Sequence, residues 1–378
     1  MIKKVQAELV SFVKYLIQFS FWVIPLKKNR VVFVSYYGKF YNDNPKAISD
    51  KLKGKGLDMV WLVNDPNQYN DSEVRFVRYG SLRSIFYLAT SILWVDNCRK
   101  ELWVRKRAGQ KYIQCWHGSI GIKACEKDAE HELSWLYLKR AKLDGKHTDI
   151  MISNGDWCTK LYKRAFWTKA KILEYGSPRM DYIVNGEVDA DEVRRKLNMQ
   201  NKRAILYVPT FRNDYSLDIY RFNYEQILSD MNKKYGGEWV FLLRLHPNFM
   251  SVSNADIEEI GVINVTTYPN IYDLIYVSEF IITDYSSAGF ESSVIQKNLL
   301  IYAPDVESYK KERSLYFDFE KLPFPYADSY DKLRRNLVEF DRDEYLKKLK
   351  IYINELGVVE NGHASKRTAD YILNVLMK

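Results

Sequence analysis

Short apolar runs, mostly β-branched or aromatic, recur along the chain and alternate with longer amphipathic segments. This pattern predicts buried strands separated by helices, and therefore parallel sheets with helices on both faces. The runs form two series, divided near residue 190: VVFVSYY (31–37), DMVWLVN (58–64), VRFVRYG (74–80), SILWVDN (91–97), YIQCWHG (112–118), DIMISNG (149–155) and KILEYGS (171–177), then AILYVPT (204–210), WVFLLRLHP (239–247), GVINVTT (261–267), FIITDYSS (280–287) and NLLIYAPD (298–305).

Two such series predict an α/β protein with two Rossmann-like domains that face a cleft, because 378 residues exceed one ordinary core. We place an N-terminal helix at 1–29, a first domain at 30–188 and a second at 189–378. Ligands of open parallel sheets bind beyond the carboxyl ends of the strands. The polar residues that follow the runs are therefore the candidates for a common site.

The N-terminal segment is apolar from Leu9 to Leu26 but is interrupted by Lys14 and Gln18. That interruption argues against a transmembrane span and against a secretory signal. Glu8, Ser11, Lys14 and Gln18 recur at helical spacing, which predicts an amphipathic helix. Such a helix lies on a membrane surface or packs on its own protein, and the pattern leaves both open.

The net charge of +9 is concentrated in residues 99–171, where 17 Lys and Arg stand against 8 Asp and Glu. A basic region of this kind faces anionic lipid, a phosphate-rich substrate or nucleic acid, or is simply a solvated surface. No nucleic-acid-binding motif is present, so we expect no nucleic-acid partner. The four cysteines lack metal-site spacing and are expected to be reduced thiols.

Two of the five histidines, His117 and His246, follow strand-like runs, one in each predicted domain. Histidine transfers protons near neutral pH. Arg244 shares a strand face with His246, and such a pair suits a phosphate leaving group. One histidine alone could merely close a strand through backbone bonds, but two at matching positions favour function.

The segment ITDYSSAGFESS (282–293) carries the richest phosphate signal. We predict a helix that begins near Ser287 or Ala288, where the hydroxyls of Ser286 and Ser287 and free backbone N–H groups bind phosphate. Glu291 then lies within reach of a ribose hydroxyl. The alternative, a capping box between Ser287 and Glu291, has a spacing one residue too long.

Thr210 and Arg212 in VPTFRND (208–214), and Arg313 in a predicted loop, are candidate pyrophosphate ligands. Either arginine could equally be a surface residue. No Walker A, G-x-G-x-x-G or G-x-S-x-G motif occurs. The acidic pairs in DAD (189–191) and DRD (341–343) precede predicted helices and are interpreted as caps, so we predict no metal and a mechanism that relies on Arg, Ser, Thr and His.

Seven motifs together resemble the CDP-glycerol glycerophosphotransferase family, which primes or polymerises teichoic-acid and related polyol-phosphate chains. They occur in the family's order over residues 30 to 330: DNPKAI (43–48), WHGSIGIK (116–123), GSPRMD (176–181), VPTFRND, RLHP (244–247), ITDYSSAGFE and RSLYFDFE. The resemblance implies a GT-B fold, a CDP-polyol donor, no required cofactor, and peripheral (monotopic) association with the cytoplasmic face of a bacterial cell membrane.

Matched by position, His117 corresponds to the family's proposed general base and His246 to its partner at the donor phosphates. The resemblance likewise assigns Ser286, Ser287 and Arg313 to phosphate binding and Glu291 to the ribose. We place Gly118, Ser119 and Lys123 on the acceptor side. Two positions depart from the family pattern: Ser119-Ile120-Gly121 replaces a common Thr-Pro, and Ser314 replaces a common Gly. These changes could alter the choice of acceptor or polyol.

The resemblance implies transfer of glycerol phosphate from CDP-glycerol to a hydroxyl of a lipid-linked teichoic-acid-type or capsular acceptor, polyol phosphate or glycan, with release of CMP. The basic region would then face the anionic membrane or the acceptor. The alternatives are ribitol phosphate transfer from CDP-ribitol, a GT-B glycosyltransferase that uses a nucleotide sugar, and a non-catalytic membrane-surface or nucleic-acid-binding protein.

Overall fold

The computed structural model describes residues 2–210, 212, 223–245 and 262–376, with side chains from residue 8 onward. The chain folds into two units. The first holds the residues up to Ser119, Cys125–Asp181 and the residues from Val358 on, and the second holds Ile120–Ala124 and Tyr182–Gly357. The units therefore divide at Asp181/Tyr182 and not at 188/189, and the C-terminal segment belongs to the first unit.

The first unit contains a seven-stranded sheet in the order β3-β2-β1-β4-β5-β6-β7, and every neighbouring pair is parallel. Its elements are α1 (Ile2–Ser20), β1 (Lys27–Val34), α2 (Asp43–Leu52), β2 (Asp58–Val63), β3 (Val74–Arg78), α3 (Leu82–Thr90), β4 (Ser91–Asp96), β5 (Lys111–Gln114), α4 (Trp135–His147), β6 (Ile150–Ser153), α5 (Asp156–Ala165) and β7 (Lys171–Glu174).

The second unit contains a six-stranded sheet in the order β10-β9-β8-β11-β12-β13, again parallel throughout. After α6 (Asp181–Val184) at the boundary, its elements are α7 (Ala190–Lys196), β8 (Arg203–Val208), α8 (Tyr224–Tyr235), β9 (Trp239–Leu243), β10 (Val262–Asn264), α9 (Ile271–Val277), β11 (Phe280–Thr283), α10 (Ser287–Val294), β12 (Asn298–Tyr302), α11 (Val306–Glu312), β13 (Tyr326–Ala327), α12 (Tyr330–Val338) and α13 (Arg342–Glu355). The last helix, α14 (Ala364–Leu376), packs on the first unit.

The apolar runs form central strands because both faces of each sheet are covered. On β1, Val31 and Phe33 enter one hydrophobic core, whereas Val32 and Val34 enter the core on the opposite face. Both cores consist of buried side chains, so a strand between them must be apolar at consecutive positions. Residues of α14 complete the core that holds Val31.

Each sheet has the strand order of a Rossmann fold, in which the direction of strand addition reverses beside the first strand of the unit. The reversal lies between β1 and β4 in the first unit and between β8 and β11 in the second. The predicted α/β class with two Rossmann-like domains is thus confirmed. The carboxyl ends of these four strands mark the expected ligand sites.

Helix α1 contacts the protein through Gln18 and through Tyr15 and Ile17, which pack against the core that holds Val32. Gln18 is fully buried, and its side-chain amide pairs with both the backbone N–H and the carbonyl of Arg105, at 2.8 Å and 2.9 Å. Large apolar residues of the helix are instead exposed: Leu9 61%, Phe12 56%, Leu16 47% and Phe19 52%. Within the described residues, none of the helices combines the length and apolar character that a bilayer span needs.

The acidic pairs near residues 190 and 342 cap helices, as the sequence predicts. Asp189 accepts a hydrogen bond from the backbone N–H of Glu192 at the start of α7. Asp341 accepts one from the backbone N–H of Glu344 at the start of α13. Both carboxylates therefore satisfy helix N-termini.

Candidate active site

In the first unit, the candidate site is centred on His117, in the loop that follows β5. The Nδ1 atom of His117 lies 2.6 Å from the backbone carbonyl oxygen of Asn97, which follows β4. A carbonyl can only accept, so Nδ1 carries the hydrogen and Nε2 keeps its lone pair. Burial lowers the pKa of His117 below its usual value, although the bond to Asn97 and the carboxylate of Asp43 oppose the shift. A half-buried neutral imidazole with a basic Nε2 is suited to accept a proton.

A buried ion pair holds the backbone of the His117 loop. The Nη1 atom of Arg179 lies 2.7 Å from Oδ2 of Asp43 and also donates to the carbonyl of His117 at 3.0 Å. The side chains of Arg179 and Asp43 are only 7% and 8% exposed. Burial alone would raise the pKa of Asp43, but the charge of Arg179 and hydrogen bonds to the carboxylate hold it below its usual value. The pair therefore stays ionised and fixes the loop.

Asn44 and Tyr36 extend this network. The side-chain amide of Asn44 donates to the carbonyl of Trp116 at 3.0 Å and accepts from the backbone N–H of Arg179 at 3.0 Å. The hydroxyl of Tyr36 donates to Asp43 at 2.9 Å, and its backbone N–H donates to the side chain of Asn97. Residues after β1, β4 and β5 thus hold one another at the reversal point of the sheet.

A second buried cation, Arg99, supports the indole beside His117. Its guanidinium binds Glu126 at 2.7 Å and Asp144 at 3.1 Å, and it lies 5.2 Å from the centre of the Trp116 ring. The rings of Trp116 and His117 are 4.3 Å apart between centres. Arg99 therefore fixes the aromatic neighbour of the imidazole.

Strained backbone clusters in the same region. Non-glycine residues rarely adopt positive φ angles, and such strain concentrates at functional sites. Several residues of the network, or in contact with it, have them: Tyr36 (45°), Tyr37 (57°), Asp43 (66°), Trp116 (53°) and Glu126 (56°). The hydrogen bonds and ion pairs of this network hold these residues in their strained conformations.

In the second unit, polar residues gather at the carboxyl ends of β8 and β11. Asp284, after β11, is 2% exposed and accepts hydrogen bonds from the backbone N–H of Thr210, after β8, at 2.8 Å and 2.9 Å. Ser286 caps α10 through the backbone N–H of Ala288, and the helix begins at Ser287 as predicted. The N-terminus of α10 thus lies at the reversal point of the second sheet.

Gly289 allows α10 to approach β11 closely. A Cβ atom at this position would lie 2.4 Å from the side-chain methyl of Thr283, well inside van der Waals contact. Because Thr283 is β-branched and buried, it has little freedom to move away. The glycine therefore sets the position of the helix N-terminus relative to the sheet.

Lys123, which the sequence places on the acceptor side, lies in the second unit. Residues 120–124 leave the first unit and pair with residues 314–316, with Ala124 donating to Ser314 and Tyr316 donating to Ile122 at 2.8 Å and 2.7 Å. Burial lowers the pKa of Lys123, Asp284 opposes this, and Arg313 and Arg212 add to it. The ammonium group thus belongs to the cationic cluster at the end of β11.

Arg212, a predicted pyrophosphate ligand, is engaged by protein carboxylates. Its guanidinium binds Asp305 through Nε at 2.6 Å and Nη2 at 3.1 Å, and Asp284 through Nη2 at 2.9 Å. Nη1 donates to the carbonyl of Thr210 at 2.6 Å. These bonds occupy most of the N–H donors of the guanidinium, so Arg212 supports Thr210 and Asp284.

Arg244, after β9, differs from Arg212 in its bonding partners. It donates to the carbonyls of Val265 and Tyr268 at 3.3 Å and 2.6 Å, and no carboxylate in the described part of the chain forms an ion pair with it. Burial lowers its pKa to about 10. A desolvated cation that no described carboxylate neutralises is suited to bind phosphate.

The contacts of the remaining predicted site residues do not show what these residues bind. Glu291 is 3% exposed and accepts a hydrogen bond from the hydroxyl of Tyr272 at 2.5 Å, so its assignment to a ribose stays a prediction. Gly118 and Ser119 end the first-unit part of the His117 loop. His246 lies outside the described residues. Among the residues that are described, no three His, Cys, Asp or Glu side chains are grouped to hold a metal ion.

The sequence profile of the CDP-glycerol:poly(glycerophosphate) glycerophosphotransferases matches residues 16–374. The chain belongs to this family. This match agrees with the resemblance of its motifs. The Asp43–Arg179 pair lies in two of those motifs, DNPKAI and GSPRMD, for which the sequence provided no role.

Individual glycerophosphotransferases show how far the similarity extends. A teichoic acid poly(glycerol phosphate) polymerase of Bacillus subtilis (strain 168) is 29% identical over 92% of this chain and 49% of its own length. One of Bacillus spizizenii is 27% identical over 93% of both chains. The solved structure of the wall teichoic acid polymerase TagF is 26% identical, with a TM-score of 0.84 over 100% of this chain and 98% of that one. The chain thus spans about half of the first relative and nearly all of the second.

Proposed function

We propose that the protein transfers glycerol phosphate from CDP-glycerol to a hydroxyl of a lipid-linked teichoic-acid-type or capsular acceptor and releases CMP. The observation that carries this proposal is the fixed tautomer of His117: Nδ1–H is bound to the Asn97 carbonyl, and Nε2 is left basic. An acceptor hydroxyl is a poor nucleophile until a base removes its proton. Family membership supports the choice of donor.

In the proposed reaction, Nε2 of His117 takes the proton as the acceptor oxygen bonds to the glycerol-bearing phosphorus. The bond from this phosphorus to the bridging oxygen breaks, and CMP leaves with the electron pair. Lys123, Arg244, Arg313 and the N-terminus of α10 stabilise the charge that builds on the departing phosphate. His246 is assigned to the same leaving group by prediction alone.

The donor assignment is tested by offering CDP-glycerol, CDP-ribitol, UDP-sugars and GDP-sugars together with a lipid-linked acceptor. We expect CMP release from CDP-glycerol, with one glycerol phosphate gained by the acceptor for each CMP. Preferential CMP release from CDP-ribitol would identify a ribitolphosphotransferase. Release of UDP or GDP from sugar nucleotides, without CMP, would contradict the proposal.

Lys123 provides a test specific to the donor half of the site. Lys123→Met keeps most of the side-chain volume but removes the charge, so the KM for CDP-glycerol is expected to rise about tenfold. Lys127→Met changes an exposed lysine of the first unit and serves as the matched control. Steady-state kinetics at saturating acceptor measure both, and an unchanged donor KM in Lys123→Met would contradict the assignment.

We also propose that α1 binds peripherally to the cytoplasmic face of the membrane. Its outward apolar face, Leu9, Phe12, Leu16 and Phe19, supports this, because soluble proteins seldom leave such a stripe uncovered. Three cations, Lys27, Lys28 and Arg30, follow the helix. Two of them have a different role, because Lys27 and Arg30 pair with Asp58 at 2.9 Å and 2.7 Å. Membrane attraction therefore depends mainly on the apolar face.

A further inference from the structure

A cavity of about 670 Å³, open to solvent on one side, lies in the first unit and is lined by α1, the turn after β3, residues 101–103 and the start of α4. This volume is in the range of small-molecule sites. The cavity lies apart from the imidazole of His117, which is not among its lining residues. The reaction as proposed above leaves its purpose unexplained.

The lining combines an apolar wall with two cations and one carboxylate, Glu101. Val10, Leu102, Trp103 and Leu136 supply the wall, and Lys14 and Arg140 supply the positive charge. The guanidinium of Arg140 lies 3.6 Å from the carboxylate of Glu101, which is longer than a usual hydrogen bond. Lys14 is half-buried, its Nζ lies 5.7 Å from the centre of the Trp103 ring, and no carboxylate among the described side chains pairs with it. Among the described side chains, Lys14 is therefore left without an anionic partner.

The apolar wall continues onto the protein surface on both sides. Val10 on α1 is 49% exposed and Leu136 on α4 is 45% exposed, although both line the cavity. Their neighbours Leu9 and Trp135 are 61% and 47% exposed. An occupant with a hydrocarbon chain would thus remain in contact with apolar surface as it leaves the cavity.

Two chains of contacts connect the cavity to the His117 loop. The guanidinium of Arg140 lies 5.1 Å from the centre of the Tyr37 ring, and the adjacent Tyr36 ring lies 5.7 Å from that of His117. The hydroxyl of Tyr137, another lining residue, donates to Glu126, which binds Arg99 beneath Trp116. Binding in the cavity would therefore act on residues that position the imidazole.

We propose that this cavity binds the phosphate-bearing end of the lipid that carries the acceptor. An apolar wall beside one unpaired cation matches a phosphate joined to a hydrocarbon chain better than it matches a free anion or a neutral lipid. The inference rests on the proposed function, because that function supplies a lipid-linked acceptor. It adds the place where the lipid phosphate is held and the residue, Lys14, that binds it.

The test measures binding of decyl phosphate to the full chain by calorimetry, below the concentration at which the amphiphile aggregates. Lys14→Gln is expected to bind it about tenfold more weakly than the unchanged protein. Lys142→Gln is the matched control, because Lys142 is an exposed α4 lysine outside the cavity that pairs with Glu130. Equal affinity in Lys14→Gln and the unchanged protein would overturn the proposal.

Two further probes identify the source of the phosphate. Inorganic phosphate is expected to bind at least about tenfold more weakly than decyl phosphate, because it gains nothing from the apolar wall. Decyltrimethylammonium, which has the same tail and the opposite charge, should not compete with decyl phosphate. Equal binding of inorganic phosphate would identify a free-anion site and overturn the lipid assignment.

A second variant, Leu136→Asp, places a carboxylate on the apolar wall and should also weaken the binding of decyl phosphate. Leu82→Asp, at an exposed leucine of α3, should leave this binding unchanged. In vesicles, Lys14→Gln should raise the KM for the acceptor and leave the KM for CDP-glycerol unchanged. A change in both KM values would contradict the inference. Absence of CMP release from the unchanged protein would instead refute the proposed function, and the calorimetry would still decide whether the cavity binds a lipid phosphate.

Discussion

Replacement of His117 with alanine is expected to lower the rate of glycerol phosphate transfer at least about 100-fold, the usual scale for loss of an acid–base group. The reason is that Nε2 is the atom left free when Nδ1–H binds the Asn97 carbonyl. CMP release and acceptor mass, measured with saturating CDP-glycerol, report the effect.

His117→Asn separates proton transfer from positioning. The asparagine amide can still donate to the Asn97 carbonyl, but nothing replaces Nε2, so the same loss of rate is expected with little loss of stability. His131→Ala is the matched control, because the His131 side chain is 72% exposed and lies on the same unit. Full activity in His117→Ala would remove the proposed base.

Replacement of Arg179 with methionine is expected to lower the free energy of unfolding by about 3–5 kcal/mol, because it leaves the carboxylate of Asp43 buried without its cation. The backbone carbonyl of His117 also loses a donor at 3.0 Å. Transfer by the folded fraction should therefore fall as well. Chemical denaturation, followed by near-UV circular dichroism, measures the stability.

The double variant Asp43→Asn with Arg179→Met removes both charges, so it should be more stable than Arg179→Met alone. Asparagine suits position 43 because it tolerates the positive φ of 66° found there. Arg83→Met, at an exposed arginine of the first unit, should leave stability unchanged. If Arg179→Met unfolds at the same denaturant concentration as the unchanged protein, the buried pair does not have the structural role assigned to it.

The sequence predicts the sheets well because their strands are buried on both faces, which makes them continuous apolar runs. It also predicts the position of His117 and the start of α10, because both follow such runs directly. The short strand β13 was not predicted, because a strand of two residues is too short to show a periodic pattern of apolar residues.

The supporting residues of the site were missed for a different reason. Asp43 and Arg179 lie 2.7 Å apart in space but far apart in sequence, and no local pattern indicates their pairing. The signal that could have found them was present, since both belong to motifs that the resemblance rests on. Asn97 could have been found from its place directly after β4, at the reversal point of the sheet.

Two predicted site residues, Lys123 and Arg212, have surroundings that the sequence does not indicate, because proximity in the sequence is not proximity in space. Lys123 follows His117 closely in the chain, yet residues 120–124 fold with the second unit. Arg212 looked available for phosphate, but Asp284 and Asp305 occupy its guanidinium. The competition of these two carboxylates with phosphate for Arg212 involves three chain segments that are distant in sequence and meet only in the folded protein.

The pH dependence of kcat/KM for the acceptor, at saturating CDP-glycerol, tests the central claim that neutral His117 is the base. Burial lowers the pKa of His117, so the active, unprotonated form should already predominate at neutral pH. Activity should rise with pH, reach half its maximum below about pH 6.5, and stay level through neutrality. Activity that falls as pH rises through this range would show that the protonated imidazole is required and would contradict the account.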